Sequence, residues 1–132
     1  MTPLVVDASA LVKAVTEDAG QGSGALDLME GRSLHAPHLL DAELGSALRR
    51  MVLRGQLAAE VAAGARRLGE ALVEVRHPHA GPLCEAAWRL RDSVGFYDGL
   101  YVALAAALDC ELLTADRRLA RAEAPGARVH VV

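Results

Sequence analysis

Aromatic residues are nearly absent from this chain: one Trp, two Tyr and one Phe in 132 residues. A core cannot be built on large rings, so Ala and Leu must fill it, and small side chains let helix backbones approach closely. Cysteine is equally scarce. Cys84 and Cys110 cannot make a disulfide framework and form no Cys-x-x-Cys pair, so both read as buried thiols in apolar helical surroundings. Among fourteen basic residues Lys13 is the only lysine. Excess positive charge is lacking too: the net charge is −3 and the pI about 5.9, so bulk charge does not mark a strong nucleic-acid binder. Acids neutralised by a metal would make the working surface less negative than the formula implies. The start, Met1-Thr2-Pro3-Leu4-Val5-Val6, has no basic region and reads as no signal peptide. The longest apolar run, Leu100 to Leu108, is too short for a bilayer, which needs about 20 residues. A soluble cytoplasmic protein is expected. No Gly-x-x-x-x-Gly-Lys-Ser/Thr phosphate loop, repeat or low-complexity segment is present.

What is there alternates between two periods. Leu4-Val5-Val6 is a short continuous apolar run, as expected of a strand covered on both faces, followed by a helix through about Thr16. Asp18 to Gly24 reads as a turn and Ala25 to Glu30 as a short helix closed by Gly31. Ser33 to Ala36 is a weak strand that Pro37 should end. His38 to Arg54 carries Leu40, Leu44, Leu48 and Met51 on one helical stripe and stops at Gly55. Ala58 to Ala71 is a helix weakened by Gly64 and Gly69, then Leu72 to Val75 a strand. Leu83 to Asp92 is an amphipathic helix, and Tyr97 to Leu108 is apolar almost all round and should be buried. Glu111 to Thr114, Arg117 to Ala122 and Arg128 to Val132 read as strand, short helix and strand. The alternation predicts an α/β fold, one domain over 1–132, with a parallel sheet and right-handed crossovers.

In open parallel sheets ligands sit outside the carboxyl ends of the strands. Asp7 directly follows Leu4-Val5-Val6, and Asp116 follows the strand that ends at Thr114. Asp98 opens the most apolar helix, and Glu43 lies in the first half of His38–Arg54. Each alone has a plainer explanation. Asp7, Asp98 and Asp116 stand where N-caps are expected, Glu43 could be a solvated helix residue, and Asp41 competes with it by position. Together, carboxylates gathered in one crevice repel unless a cation compensates them. Oxygen ligands without a Cys/His pattern select Mg²⁺ or Mn²⁺, which clamp phosphates and activate water. The histidines offer less. His77 and His79 flank Pro78, and His35 and His38 flank the residues around Pro37, without helical His-x-x-x-His spacing or an obvious third ligand, so they read as loop residues.

Four segments then resemble the PIN domain, and within it the VapC toxins of toxin–antitoxin pairs. They are Val5-Val6-Asp7-Ala8-Ser9-Ala10-Leu11, Ala36-Pro37-His38-Leu39-Leu40-Asp41-Ala42-Glu43-Leu44, Tyr97-Asp98-Gly99-Leu100-Tyr101-Val102-Ala103-Leu104-Ala105 and Leu113-Thr114-Ala115-Asp116-Arg117-Arg118-Leu119. Their order and spacing cover almost the whole chain. Gly99 departs from the pattern, since Ala is usual there, and should loosen a turn; the stretch from Gln56 to Pro82 carries no motif.

The resemblance implies a three-layer α/β/α sandwich on a short parallel sheet. It also implies an endoribonuclease directed at single strands, with Asp7, Glu43, Asp98 and Asp116 binding one or two Mg²⁺ or Mn²⁺ ions. On this match Glu43 is preferred to Asp41, and Ser9 and Thr114 resemble supporting hydroxyls. A homodimer paired through helices is implied, together with inhibition by a VapB-type antitoxin, for which Ala8–Thr16 and His38–Arg54 are candidate contacts. Arg49, Arg50, Arg117 and Arg118 are candidates for RNA phosphate. Two other readings fit less well. A haloacid-dehalogenase phosphatase needs an acid where Ser9 stands, and a phospho-receiver domain needs a late lysine that the chain lacks. A degenerate PIN domain that binds without cutting is the remaining alternative.

Overall fold

Short apolar runs of Val, Leu and Ala make five strands, and each connection between them is helical. In a computed structural model that describes residues 1–17, 22–122 and 126–132, the first strand is β1 (Pro3–Val6), followed by α1 (Ala8–Thr16) and α2 (Ala25–Met29). Then come β2 (Ser33–Pro37), α3 (Leu39–Leu53), α4 (Ala59–Leu72) and β3 (Val75–His77). The chain continues through α5 (Pro82–Arg89), α6 (Phe96–Ala107), β4 (Glu111–Thr114), α7 (Arg117–Arg121) and β5 (Arg128–Val131).

All neighbouring strands pair in parallel, in the order β3-β2-β1-β4-β5. Connections from β1 to β3 step one way across the sheet, and those from β3 to β5 step back the other way. Right-handed crossovers therefore put α1 to α4 on one face and α5 to α7 on the other. The α/β/α sandwich expected from the sequence is the fold observed. The order reverses between β1 and β4, so a crevice opens at their carboxyl ends.

The core is aliphatic. Leu11, Leu40, Leu44, Leu112 and Leu113 are fully buried, each contributing about 1.5–3 kcal/mol. Small residues set the helix spacing. A Cβ on Gly69 would stand 2.6 Å from the Leu44 side chain and 3.3 Å from that of Leu11, so this glycine lets α4 close on α1 and α3. Gly99 does the same for α6: a Cβ there would meet the Ala87 carbonyl of α5 at 3.3 Å. Both glycines are buried in helices, and Gly99 loosens no turn.

Other expectations need correction. The strand expected over Leu72 to Val75 begins only at Val75, because α4 runs on to Leu72 and the ladder starts where His35 meets Val75. A buried apolar run looks the same as a helix end and as a strand start. Pro37 does end β2, but as its last residue and not just beyond it, since its fixed φ suits extended chain. Cys84 is half-buried, and Cys110, although buried, lies between α6 and β4 and outside any helix. Of the expected turn over Asp18 to Gly24, residues 18–21 lie outside the described residues, while Gly22 and Gly24 adopt φ of +67° and +74°.

Two glycines of α4 should therefore respond with opposite signs. Gly64 has open space around its Cβ position, and Gly64→Ala should stabilise by about 0.5–1 kcal/mol through helix propensity. Gly69→Val should destabilise by about 1–3 kcal/mol through overpacking against Leu44 and Leu11. Chemical denaturation of both variants checks this; two shifts of the same sign would contradict the packing account.

Candidate functional site: four acids at the sheet switch point

Asp7 is placed by the backbone before its side chain acts. The β1–β4 register pairs Val6 with Leu113, and the Asp7 amide donates to the Leu113 carbonyl at 3.1 Å. Its carboxylate is thereby set beside Thr114, which is fully buried. Asp7 Oδ1 accepts from Ser9 Oγ (2.6 Å) and from the Ala10 amide (2.9 Å), and Oδ2 accepts from Thr114 Oγ1. The Ala115 amide donates to Ser9 Oγ (2.9 Å) and the Asp116 amide to Thr114 Oγ1 (3.0 Å). Two hydroxyls thus donate hydrogen bonds to Asp7 and accept hydrogen bonds from amides of the β4–α7 loop. Asp7 is also the N-cap of α1, so the plainer role and a place in the cleft coincide.

The other three acids arrive from different elements. Asp116 caps α7 by accepting from the Arg118 amide (2.9 Å), and its carboxylate forms a fork-like pair with the exposed Arg118 guanidinium (2.9 and 3.1 Å). Asp98 is in the first turn of α6, but Gly95 is the N-cap, and Asp98 makes no side-chain hydrogen bond among the described residues. The capping explanation fails for it. Glu43, on α3, accepts from the hydroxyl of Tyr101 on α6 at 2.6 Å, which joins the two helical layers over the sheet edge. Asp41 faces elsewhere: Arg76 of β3 binds both of its oxygens at 2.7 and 2.9 Å. The choice between Glu43 and Asp41 is thus made by one arginine on a neighbouring strand.

Asp7, Glu43, Asp98 and Asp116 line one cleft of about 370 Å³ with Ser9, Tyr101 and the side chains of Arg50 and Arg118. Burial pushes the Asp7 carboxyl above the usual carboxylate range; bonds from Ser9, Thr114 and Ala10 pull it back, and the Asp116 charge adds to the rise. Glu43 is raised by burial, opposed by the Tyr101 bond, with Asp98 and Asp7 adding repulsion. Asp98 is raised by burial, then by Asp7 and Asp116. Only Asp116 is lowered, by its bonds with Arg118. Asp7, Glu43 and Asp98 each feel another acid of the set, and Asp116 acts on Asp7 and Asp98, so the four share one field.

The donor set is carboxylate and hydroxyl oxygen, which suits a hard divalent cation such as Mg²⁺ or Mn²⁺. Among the described residues, however, no three His, Cys, Asp or Glu side chains are arranged so that they could hold an ion as they stand. Asp7 is turned to its hydroxyls, Glu43 to Tyr101 and Asp116 to Arg118. The fold brings the four acids to one cleft but not into one coordination shell, and a cation would compete with Arg118 for Asp116.

The remaining candidates divide. Of the four arginines singled out, Arg50 and Arg118 line the cleft and Arg49 and Arg117 do not. Of the four histidines around Pro37 and Pro78, His38 and His79 lie between elements as expected, whereas His35 and His77 do not. His35 and His77 lie on β2 and β3, with His35 Nδ1 2.9 Å from His77 Nε2 and the rings stacked, and His38 and His79 meet edge to face. Parallel pairing of β2 with β3 creates the His35–His77 contact between residues 42 apart in sequence and brings His38 near His79 just beyond the strand ends. Tyr101 was missed as a cleft residue. Its spacing of three from Asp98 puts both on one helix face, which was the available signal.

Three comparisons bear on this arrangement. Residues 4–125 match the family model described as "PIN domain". Ribonuclease VapC1 of Mycobacterium tuberculosis is 49% identical over 125 residues, covering 92% of this chain and 92% of that protein. The crystal structure of PAE2754 from Pyrobaculum aerophilum superposes with a TM-score of 0.73 at 25% identity, covering 97% of this chain and 89% of the other. VapBC2 from Rickettsia felis, solved bound to a DNA fragment from its promoter, gives 0.72 at 14% identity over 99% of both chains and shows the fold alone.

Two substitutions probe the electrostatics. A carboxyl whose folded-state pKa is raised destabilises the fold as pH climbs from the unfolded value through the folded one. Asp98→Asn should therefore melt above the parent protein at neutral pH, the difference vanishing as pH drops below the ordinary carboxylate range. Thr114→Val should melt lower, by about 1–3 kcal/mol, because Asp7 and the Asp116 amide lose a buried partner. Thermal melts across pH decide both; an Asp98→Asn protein less stable than its parent at pH 7 would refute the shared field.

Proposed function

The chain belongs to the PIN-domain family, and from that premise we propose that it is a metal-dependent endoribonuclease of the VapC type. The observation that carries the reading is the convergence of Asp7, Glu43, Asp98 and Asp116 from four elements on one cleft at the switch point of the sheet. Relatives that carry the name ribonuclease at 49% and 44% identity support RNA as the substrate class.

The ionised acids would hold one or two Mg²⁺ or Mn²⁺ ions. A bound ion supplies an acidified water and offsets the charge that builds on a phosphodiester during in-line hydrolysis, which leaves 5′-phosphate and 3′-hydroxyl ends. Ser9 and Thr114 fix the rotamer of Asp7, so its oxygens are positioned before any ligand arrives. Tyr101 does the same for Glu43, and burial pushes the Tyr101 hydroxyl far above its ordinary range, so it remains a donor. Arg50 and Arg118 at the rim offer positive charge to the RNA backbone. An Arg118 guanidinium turned toward phosphate would leave the Asp116 carboxylate free to help hold the ion.

Residues 1–132 act as one PIN domain, paired as a homodimer and held inactive by a VapB-type antitoxin. The partner is supported by a solved neighbour of the same fold, a member of the VapBC family of toxin–antitoxin systems from Mycobacterium tuberculosis. A basic side chain from such a partner would satisfy the cleft as Arg118 now satisfies Asp116. Helices α1 and α3 flank that cleft and are the proposed contacts. No helix of the described residues is long and apolar enough to cross a membrane.

Purified chain should cut single-stranded RNA with Mg²⁺ or Mn²⁺ and lose that activity in EDTA. Asp7→Asn should cut at least about a hundredfold more slowly while staying folded, and Thr114→Val about tenfold more slowly. The rate should rise with pH through the raised carboxylate range, because Asp7, Glu43 and Asp98 must be ionised to hold a cation. Added Mn²⁺ should raise the melting temperature of the parent chain more than that of Asp7→Asn. Undiminished cleavage in EDTA, or by Asp7→Asn, would remove the metal-nuclease reading; no cleavage and no Mn²⁺-induced melting shift would favour the non-catalytic PIN domain.

A further inference from the structure

Resting on the ribonuclease reading, we propose that Phe96 and Tyr97 form a platform on which an unpaired base of the RNA stacks beside the scissile phosphodiester. A chain with four aromatic residues would be expected to bury them, and only Tyr101 is buried. Trp88 is exposed, but the Arg91 guanidinium lies over its ring at 5.2 Å and occupies that face. Phe96 and Tyr97 are 40% and 61% exposed, and neither appears in an aromatic or cation–π contact among the described residues.

Neither ring is explained by the helix that carries it. Phe96 and Tyr97 are the first two residues of α6, Gly95 is the cap, and the buried stripe of that helix begins at Gly99. What the rings do border is a pocket of about 420 Å³ lined by Glu43, Gly95, Phe96, Tyr97 and Asp98. Glu43 and Asp98 also line the acidic cleft, so the two depressions share a wall. RNA whose phosphate lies at the acids therefore has its neighbouring nucleoside at the rings.

Charge decides which part of that nucleotide meets the rings. Phosphate approaches the carboxylates of the shared wall only through a cation held there, whereas an uncharged base face fits against Phe and Tyr without one. A base can reach the platform only if its own faces are free, so duplex RNA is excluded. Stacking on aromatic rings tolerates any base, and the platform thus selects strandedness ahead of sequence.

The test uses the full chain and a fluorescein-labelled single-stranded RNA of mixed sequence. Binding is read by anisotropy in EDTA, where no cleavage occurs, and KM and kcat are read with Mn²⁺. The Phe96→Ala/Tyr97→Ala protein should bind about ten- to a hundredfold more weakly, with KM raised to match and kcat changed less than about twofold. Phe96→Tyr and Tyr97→Phe should restore both. Abasic nucleotides flanking the cut should weaken binding to the parent chain and add nothing to the double variant. Circular dichroism and light scattering accompany each protein, and Tyr97→Ala alone, at the more exposed ring, serves if the double variant misfolds. Unchanged binding and KM in a folded variant overturn the platform while leaving the nuclease reading intact. A parent chain that cuts no RNA but loses RNA affinity with the rings overturns the nuclease reading and keeps the platform. A dimer that falls apart when the rings are removed counts against it, because the rings would then be sealing a protein interface.

Discussion

One buried carboxylate holds the working end of this molecule together. Asp7 ends β1, caps α1 and binds the hydroxyls of Ser9 and Thr114, so strand, helix and the β4–α7 loop all meet at its two oxygens. Burial alone would push such a group toward its neutral form, and four bonded or coulombic neighbours set how far. The neutral donors around Asp7 are enough to orient it but not to cancel its charge. On the proposed reading, that imbalance is what a bound cation would answer: the fold keeps an anion in place without a cationic partner of its own.

The same logic distributes the other acids. Asp116 has its own arginine, Glu43 a tyrosine hydroxyl, and Asp98 no partner among the described residues. The set is graded from satisfied to unsatisfied, and the least satisfied member is on the most buried helix, where reorientation is hardest. A divalent cation, an antitoxin's basic side chain and Arg118 would answer the same excess of negative charge. On the proposed reading, switching between inhibition and activity would amount to exchanging which cation sits among the acids.

Much of this was legible along the chain. Strand, helix and turn periods located the twelve elements, with the largest error at β3, where an apolar stretch served the end of α4 and was read as strand. Asp7 and Asp116 could be placed at strand ends from local pattern. Glu43 against Asp41 could not, because acids two positions apart on one helix differ only in what faces them, and Arg76 comes from 35 residues beyond Asp41. Gly69 and Gly99 looked like weaknesses on propensity, whereas each is a close approach between helices that no local rule reveals. The stacked His35–His77 pair was likewise invisible, since it depends on which strands become neighbours.

Sequence by itself determined the alternation of strand and helix, and hence a parallel sheet with its ligand edge at the strand carboxyl ends, because periodicity and crossover handedness are local and chiral constraints. Tertiary structure alone decided that β1 and β4 are neighbours and that α3 and α6 lean together over their ends. Those choices come from burying apolar faces between distant segments, and they bring four acids from residues 7 to 116 into one field while leaving Phe96 and Tyr97 outside the core at its rim.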